Sequence, residues 1–263
     1  MGILNTTPDS FSDGGLYDTP AEAIERALEM FDEGADMVDI GGESSRPGKR
    51  EPVNAQEEIS RVLPVIEGVL RHRPGSILSI DTWKSATART ALEAGVEIVN
   101  DVSGFLWDNT LANLCARAQC GVVLMHTRGR PEEWRAQPPI EGVVAKVAQE
   151  IEQRLQVAVE AGIGREHLVL DPGFGFGKAF EQNYVLLAGM QELSRLGQPM
   201  VAGVSRKSFL ARDLAPLDRV NASIAAATTA ILLGAHIVRV HDVRPTREAA
   251  EVADAILAAI TQS

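Results

Sequence analysis

Cysteine is scarce in this chain, and so are aromatic residues and positive charge. Only Cys115 and Cys120 occur in 263 residues. They have no metal-ligand spacing and are too few for a disulfide framework, which points to a reducing compartment. Aromatic side chains make up 5% of the chain, and 25 basic residues stand against 36 acidic ones, for a net charge of −11. That balance argues against nucleic acid or an anionic membrane surface as the main partner. A small phosphorylated substrate remains possible, because a few basic groups can converge locally. The chain does not open on a basic segment followed by an apolar run, so no export signal is expected. Its longest uncharged stretch, Asn221 to Val238, carries Ser, Thr, Asn and His, and predicts no membrane span. The expected location is the cytoplasm.

A local plan is present, and it repeats. Thr19-Pro20-Ala21-Glu22 reads as a capping box with proline in the first turn. Ile24, Ala27, Leu28 and Phe31 mark one helical face, Gly34 ends the helix, and the apolar strand "ADMVDIGG" follows. The same phrase of glycine, small apolar residue, polar residue and strand returns in "GVEIVND" and "GAHIVRVHD", and Gly121 opens "GVVLMH" in the same manner. On this basis eight strands are expected: Met1–Asn5, Met37–Gly42, Ile77–Thr82, Ile98–Val102, Val122–His126, Leu168–Asp171, Pro199–Ser205 and Ile237–His241. Helical patterns fill the gaps, including a long one from about Ile140 to Ala161. The strands are rich in Val, Ile and Leu without clean alternation, as expected when both faces are buried. Eight βα units across residues 1–263 predict an α/β protein built as one (β/α)8 TIM barrel, with no linker and no second domain.

The unusual polar residues fall at one end of that barrel. The strands end in Asn5, Asp81-Thr82, Asn100-Asp101, Met125-His126, Asp171, Ser205-Arg206-Lys207 and Arg239-Val240-His241. Helix caps explain one or two such residues, but not seven strands that all end in polar groups. TIM-barrel enzymes build their sites at this C-terminal face. Long loops, Thr6 to Asp18 and Glu43 to Asn54, lie at the same face and have the length of lids. After the sixth strand comes "DPGFGFGK", Asp171 to Lys178. It has neither the spacing of a Walker A loop nor that of a dinucleotide fingerprint. Alternating glycine and phenylalanine instead lets backbone pass close to a flat ligand while rings line a wall. A carboxylate at the base of that wall suits the paired N–H donors of an aminopyrimidinone. The residues alone therefore suggest a flat, donor-rich heterocycle held by Asp171, Asp81 and Asn100. Asn5, Arg239, His241 and Lys207 lie across the same mouth as candidates for binding an anion.

Taken in order, "MGILNTTPDSFSDGG", "ESSRPG", "DTWK", "VND", "DPGFGFGK", "GVSRKSFL" and "RVHDV" resemble the dihydropteroate synthase family across nearly the whole chain. The resemblance implies condensation of 6-hydroxymethyl-7,8-dihydropterin pyrophosphate with p-aminobenzoate, and sensitivity to sulfonamides. It assigns the pterin to Asp81, Asn100, Val102, Met125, Asp171, Lys207 and Arg239. Pyrophosphate falls to Asn5, Arg46, Arg239 and His241, with Mg²⁺ on the pyrophosphate oxygens and Asn5. The aminobenzoate pocket falls to Phe11, Ser45, Arg46, Pro47, Phe176, Lys207 and Ser208, with Ser208 expected at a helix N-terminus. Lys207, Arg239, His241 and Asn5 are the expected catalytic group. "MHTRG" departs from the family, which more often has Met-His-Met-Gln-Gly there, so Thr127 and Arg128 add a charge near the rim. The alternatives are a pterin-dependent methyltransferase, which has no use for the pyrophosphate residues, and a non-catalytic pterin-binding paralogue, which predicts decay of Lys207 or Arg239. The seventh and eighth helical segments, "RVNASIAAATTAILLG" and "REAAEVADAILAAI", are alanine-rich on more than one face. Together with the resemblance they favour a homodimer through that side.

Overall fold

A computed structural model describes residues 1–6, 19–43, 53–211 and 213–262. The first helix, α1 (Pro20–Asp32), starts as its sequence requires. Thr19 Oγ accepts from the Glu22 amide at 3.3 Å, and the Glu22 carboxylate accepts from the Thr19 amide at 2.8 Å. The capping box thus satisfies two backbone donors at once. Six strands form one parallel sheet in chain order: β1 (Gly2–Asn5), β2 (Met37–Gly41), β3 (Ile77–Asp81), β4 (Ile98–Asp101), β5 (Gly121–Met125) and β6 (Leu168–Asp171). Between them run α2 (Ala55–His72), α3 (Ser85–Glu93), α4 (Leu111–Ala118) and α5 (Val143–Glu160). The short strands β7 (Val201–Ala202) and β8 (Ile237–Val238) pair in parallel with each other.

Single bridges join this pair to both edges of the larger sheet. Leu170 donates to the Pro199 carbonyl at 2.9 Å beside a Leu170–Met200 bridge, and Ile3 donates to the Val240 carbonyl at 2.9 Å beside a Gly2–Val240 bridge. The strands therefore run right round a closed parallel barrel, and the expected TIM barrel is the observed fold. Strands 7 and 8 are shorter than their apolar runs. Beyond Ala202 the chain turns, with the Lys207 amide donating to the Val204 carbonyl at 3.3 Å and Arg206 at a left-handed φ of 57°. That geometry ends a ladder.

Alternate strand residues explain the layers. Val38, Ile40, Leu78, Ile80, Leu124 and Leu170 point outward and pack, fully buried, under the helices. Each such side chain contributes roughly 1.5–3 kcal/mol by burial. The residues between them face the barrel interior, and there the chain places Asp39, Ser79 and Asn100 instead of aliphatics. The sixth unit's helix is broken into α6 (Gln182–Ala188) and α7 (Met190–Leu193) at Gly189, where a Cβ would lie 2.5 Å from Val144 of α5. The last helices are α8 (Val220–Leu232) and α9 (Val243–Gln262). Among the described residues no helix is long and apolar enough to cross a membrane.

Candidate active site

Strand register sets the first row of the site. Asn5 pairs with Gly41, Gly41 with Asp81, and Asp81 with Asn100, so four adjacent strands present one level of the barrel mouth. Met125 and Asp171 are register partners on β5 and β6. Arg239, just past β8, reaches across this level. Its Nε donates to Asp39 Oδ2 at 2.6 Å and its Nη2 to Asp81 Oδ2 at 2.7 Å, while the Asn100 amide donates to the same Asp39 oxygen at 2.8 Å. Asp39 was not among the candidates, yet it is wholly buried and joins two of them. Its signal in the sequence is a lone carboxylate in the middle of the apolar strand "MVDIG", at an inward-facing position.

Burial dominates the electrostatics. It raises Asp81 to about 7, because losing water outweighs the help from Arg239, and Asp39 and Glu58 add repulsion. Burial likewise raises Asp171, opposed by the hydrogen bond from the Gly173 amide and by Lys207 and Arg239. For Arg239 burial opposes the charge, but Asp39 and Asp81 more than offset it and raise the pKa. Lys207 is lowered to about 8, first by burial and then by Arg239, with Asp171 and Asp81 pulling the other way. The site therefore holds carboxylates and amines that take up and release protons more readily than they do in water.

The glycine-phenylalanine loop divides its two rings between different jobs. Gly173, Gly175 and Gly177 all have positive φ, and a Cβ on Gly173 would lie 1.9 Å from the His126 carbonyl oxygen. No other residue fits there. Phe174 turns into the main core and stacks on Phe209 at 6.2 Å, so only one ring lines the expected wall. Phe176 joins Val102, Met125 and Trp134 in a separate apolar cluster, and the Lys207 ammonium lies 4.1 Å from its ring centroid. Val102 and Met125, expected against the pterin, and Phe176, expected against the aminobenzoate, thus pack as one contiguous surface. Lys178 Nζ donates to the Gly173 carbonyl at 2.7 Å and the Phe176 carbonyl at 3.3 Å, which holds the loop from within.

Strand ends 7 and 8 are cross-linked in two steps. Ser205 Oγ lies 2.9 Å from His241 Nδ1, and Arg206 grips Asp242 through Nε at 3.0 Å and Nη2 at 2.6 Å. Lys207 and His241 hang from these pairs. Ser208 does not stand at a helix N-terminus as expected. It is exposed in a turn, and α8 begins only at Val220, after a 3-10 segment opened by Pro216. Proline is at home in such a first turn and delays the helix to that point.

Other strand-end residues have structural work. Asp101 accepts from the Ser103 and Phe105 amides at 2.8 and 2.6 Å and ties down its loop. His126 Nε2 lies 2.7 Å from Glu150 on α5, pointing away from the mouth. Glu58, wholly buried on α2, accepts from Lys84 at 3.0 Å and from Thr87 at 2.8 Å. Lys84 also contacts Glu43, whose Oε1 accepts from the Val53 amide at 3.1 Å. Phe11, Ser45, Arg46 and Pro47 lie outside the described residues.

Comparison with known proteins identifies the family. The pterin binding enzyme family matches residues 1–241. A dihydropteroate synthase of Escherichia coli K12 is 41% identical, over 98% of this chain and 92% of its own length. A Yersinia pestis dihydropteroate synthase solved with a sulfonamide drug superposes with a TM-score of 0.93 at 40% identity, covering 98% of this chain and 93% of that one. A Xanthomonas albilineans dihydropteroate synthase with 4-aminobenzoic acid gives 0.90 at 42% identity, covering 98% and 92%. A sequence and a fold matched along nearly their whole length leave one conclusion: the chain belongs to the dihydropteroate synthase family of pterin binding enzymes.

Proposed function

We propose that this chain condenses 6-hydroxymethyl-7,8-dihydropterin pyrophosphate with p-aminobenzoate, giving 7,8-dihydropteroate and pyrophosphate. The observation that carries the reading is the buried network in which Arg239 spans Asp39 and Asp81, with Asn100 on the same carboxylate. It supplies carboxylates for a donor-rich ring and a permanent cation at its edge.

In this reading Asp171, oriented by the Gly173 amide at 2.7 Å, accepts from the paired donors of the pterin. Asp81 has a second oxygen for a ring N–H, Asn100 takes another edge, and Val102 and Met125 pack on the flat face. Arg239, His241 and Asn5 meet the pyrophosphate, with Arg46 as a further candidate. The C–O bond breaks with its electron pair leaving on pyrophosphate, and the buried carboxylates favour the cation left on the pterin methylene. The arylamine, set against Phe176 and Lys207, forms the C–N bond and releases its proton to solvent or pyrophosphate. An aniline nitrogen is already neutral, so the chain needs no strong base, and positioning is the main term. Ser208, Phe11, Ser45 and Pro47 complete the proposed aminobenzoate contacts.

Mg²⁺ fits the donor set as a cation carried largely by the phosphates. Asn5 offers one hard carbonyl oxygen, suited to an ion that keeps several waters, and among the described residues no group of three His, Cys, Asp or Glu could hold a metal alone. When bound it neutralises charge on the leaving group. A homodimer through α8 and α9 belongs to the same reading, supported by Val252 and Ile256, which are 60% and 43% exposed on α9.

The test is pyrophosphate release from the pterin ester, with and without p-aminobenzoate and Mg²⁺. Mg²⁺-dependent release accompanied by dihydropteroate is expected. Tight pterin binding without release would overturn the proposed chemistry.

A further inference from the structure

We propose that Arg128 is a positioning residue for the aminobenzoate half of the reaction, stapling the Gly177 and Pro138 carbonyls together and so fixing the Phe176 ring. The inference rests on the proposed function, which places Phe176 against that substrate. Arg128 Nη1 donates to the Pro138 carbonyl at 2.6 Å and to the Gly177 carbonyl at 3.0 Å. Gly177 directly follows Phe176, and the contact is close: a Cβ on Gly177 would lie 2.7 Å from Arg128 Cβ.

A loop with three positive-φ glycines has much backbone freedom to lose on ordering. Lys178 fixes the Gly173 and Phe176 carbonyls, but its other bond goes only to His126. Arg128 alone among these bonds ties the loop to the 134–138 segment. That segment carries Trp134, whose ring meets Phe176 edge-on at 4.7 Å and whose Nε1 donates to the Gly129 carbonyl at 3.2 Å. Thr127 Oγ donates to the same carbonyl at 3.2 Å. Thr127 and Arg128, the two residues where this chain departs from the family's more usual Met-Gln, therefore build one brace behind the ring. On its other side Phe176 faces the Lys207 ammonium. Arg128 also lines a cavity of about 350 Å³ with Gln137, Glu150 and Arg154. Pro138 is exposed, so water can take the place of the guanidinium at its carbonyl, and the tie between loop and segment is then lost.

The experiment compares the unsubstituted protein with Arg128→Met, Arg128→Lys and Arg128→Gln in steady-state turnover. Losing a charge-assisted hydrogen bond is expected to raise the KM for p-aminobenzoate roughly tenfold in Arg128→Met. The KM for the pterin ester and kcat should stay within about twofold, since the lost contact is not to the reacting atoms. Arg128→Lys and Arg128→Gln, each able to reach one carbonyl, should recover part of the loss. An unchanged aminobenzoate KM, or an equal rise in both, overturns the proposal. If the unsubstituted protein makes no product, the proposed activity fails and the aminobenzoate role fails with it. The brace is read separately, from hydrogen exchange at the Phe176 amide, which donates to the Gly173 carbonyl at 3.1 Å. Faster exchange in Arg128→Met supports the brace, and equal exchange removes it.

Discussion

Arg239 Nε lies 2.6 Å from Asp39 Oδ2, an ion pair between the last barrel strand and the second, closed inside the barrel mouth. Asp39 spends that one oxygen on two donors, Arg239 and Asn100. Its other oxygen is buried with no hydrogen-bond partner among the described residues. Asp39→Asn should therefore lower the unfolding free energy by about 3 kcal/mol, the cost of breaking a buried pair from one side. It should also reduce turnover, because Arg239 loses its anchor. Urea denaturation measures the first effect, and a change below about 1 kcal/mol would remove the structural role given to the pair.

Lys207 and Arg239 should part company in stability. Lys207→Met removes a cation whose described contact is the Phe176 ring, so the protein should stay folded while turnover falls by roughly 10²–10³. Arg239→Met should lose comparable turnover and also unfold more easily, because Asp39 and Asp81 are left buried without their counter-ion. Asp81, already raised to about 7 with Arg239 beside it, then holds its proton to still higher pH in the folded form. The stability deficit must grow as pH rises above about 7, where Asp81 ionises in the unsubstituted protein but not in the variant, and be larger at pH 8 than at pH 5. A pH-independent deficit would contradict the pairing. With Lys207 lowered to about 8, kcat/KM should fall above that pH, and the limb should vanish in Lys207→Arg, whose guanidinium stays charged.

His126 should remain neutral through most of the acid range. Burial, and then Lys178, lowers it to about 4, against the pull of Glu150. Its folded pKa lies below its unfolded one, so the unfolded chain binds the extra proton. Stability should then decline as pH falls from about 6.5 to about 4, by up to about 1.4 kcal/mol per pH unit from this group. NMR titration of the imidazole tests the assignment, and a midpoint near 6.5 would refute it.

The proposed dimer makes a mass prediction. Light scattering at micromolar concentration should give about twice 28.2 kDa, and Val252→Asp with Ile256→Asp should halve it, since charge on a buried apolar face is strongly disfavoured. A monomer mass for the unsubstituted protein would end the idea.

Much of the site was legible because a parallel barrel turns strand ends into one surface. Asn5, Asp81, Asn100, Asp171 and Arg239 could be placed by finding where each apolar run stops. Asp39 escaped because it interrupts a run instead of ending it, and only the inward or outward parity of β2 makes it part of the site. Phe174 and Phe176 look equivalent in sequence. Successive positive-φ glycines send one ring to the core and the other to the mouth, a choice no composition rule contains. The start of α8 at Val220 was legible in the segment from Arg219, and the placing of Ser208 at its N-terminus came from the resemblance and not from that pattern. The paired carboxylates Glu43 and Glu58 around Lys84 were invisible because their partners come from separate loops and helices.

The span of Arg239 also joins distant parts of the chain. Asp39 and Asp81 precede in the chain, by most of its length, the strand that brings their counter-ion. Barrel closure and charge neutralisation thus come from adjacent residues, Val240 in the Gly2–Val240 bridge and Arg239 in the ion pairs. A chain stalled before its eighth strand has carboxylates that resist being dried. The substrate mouth is therefore also the place where the two ends of the chain are held together.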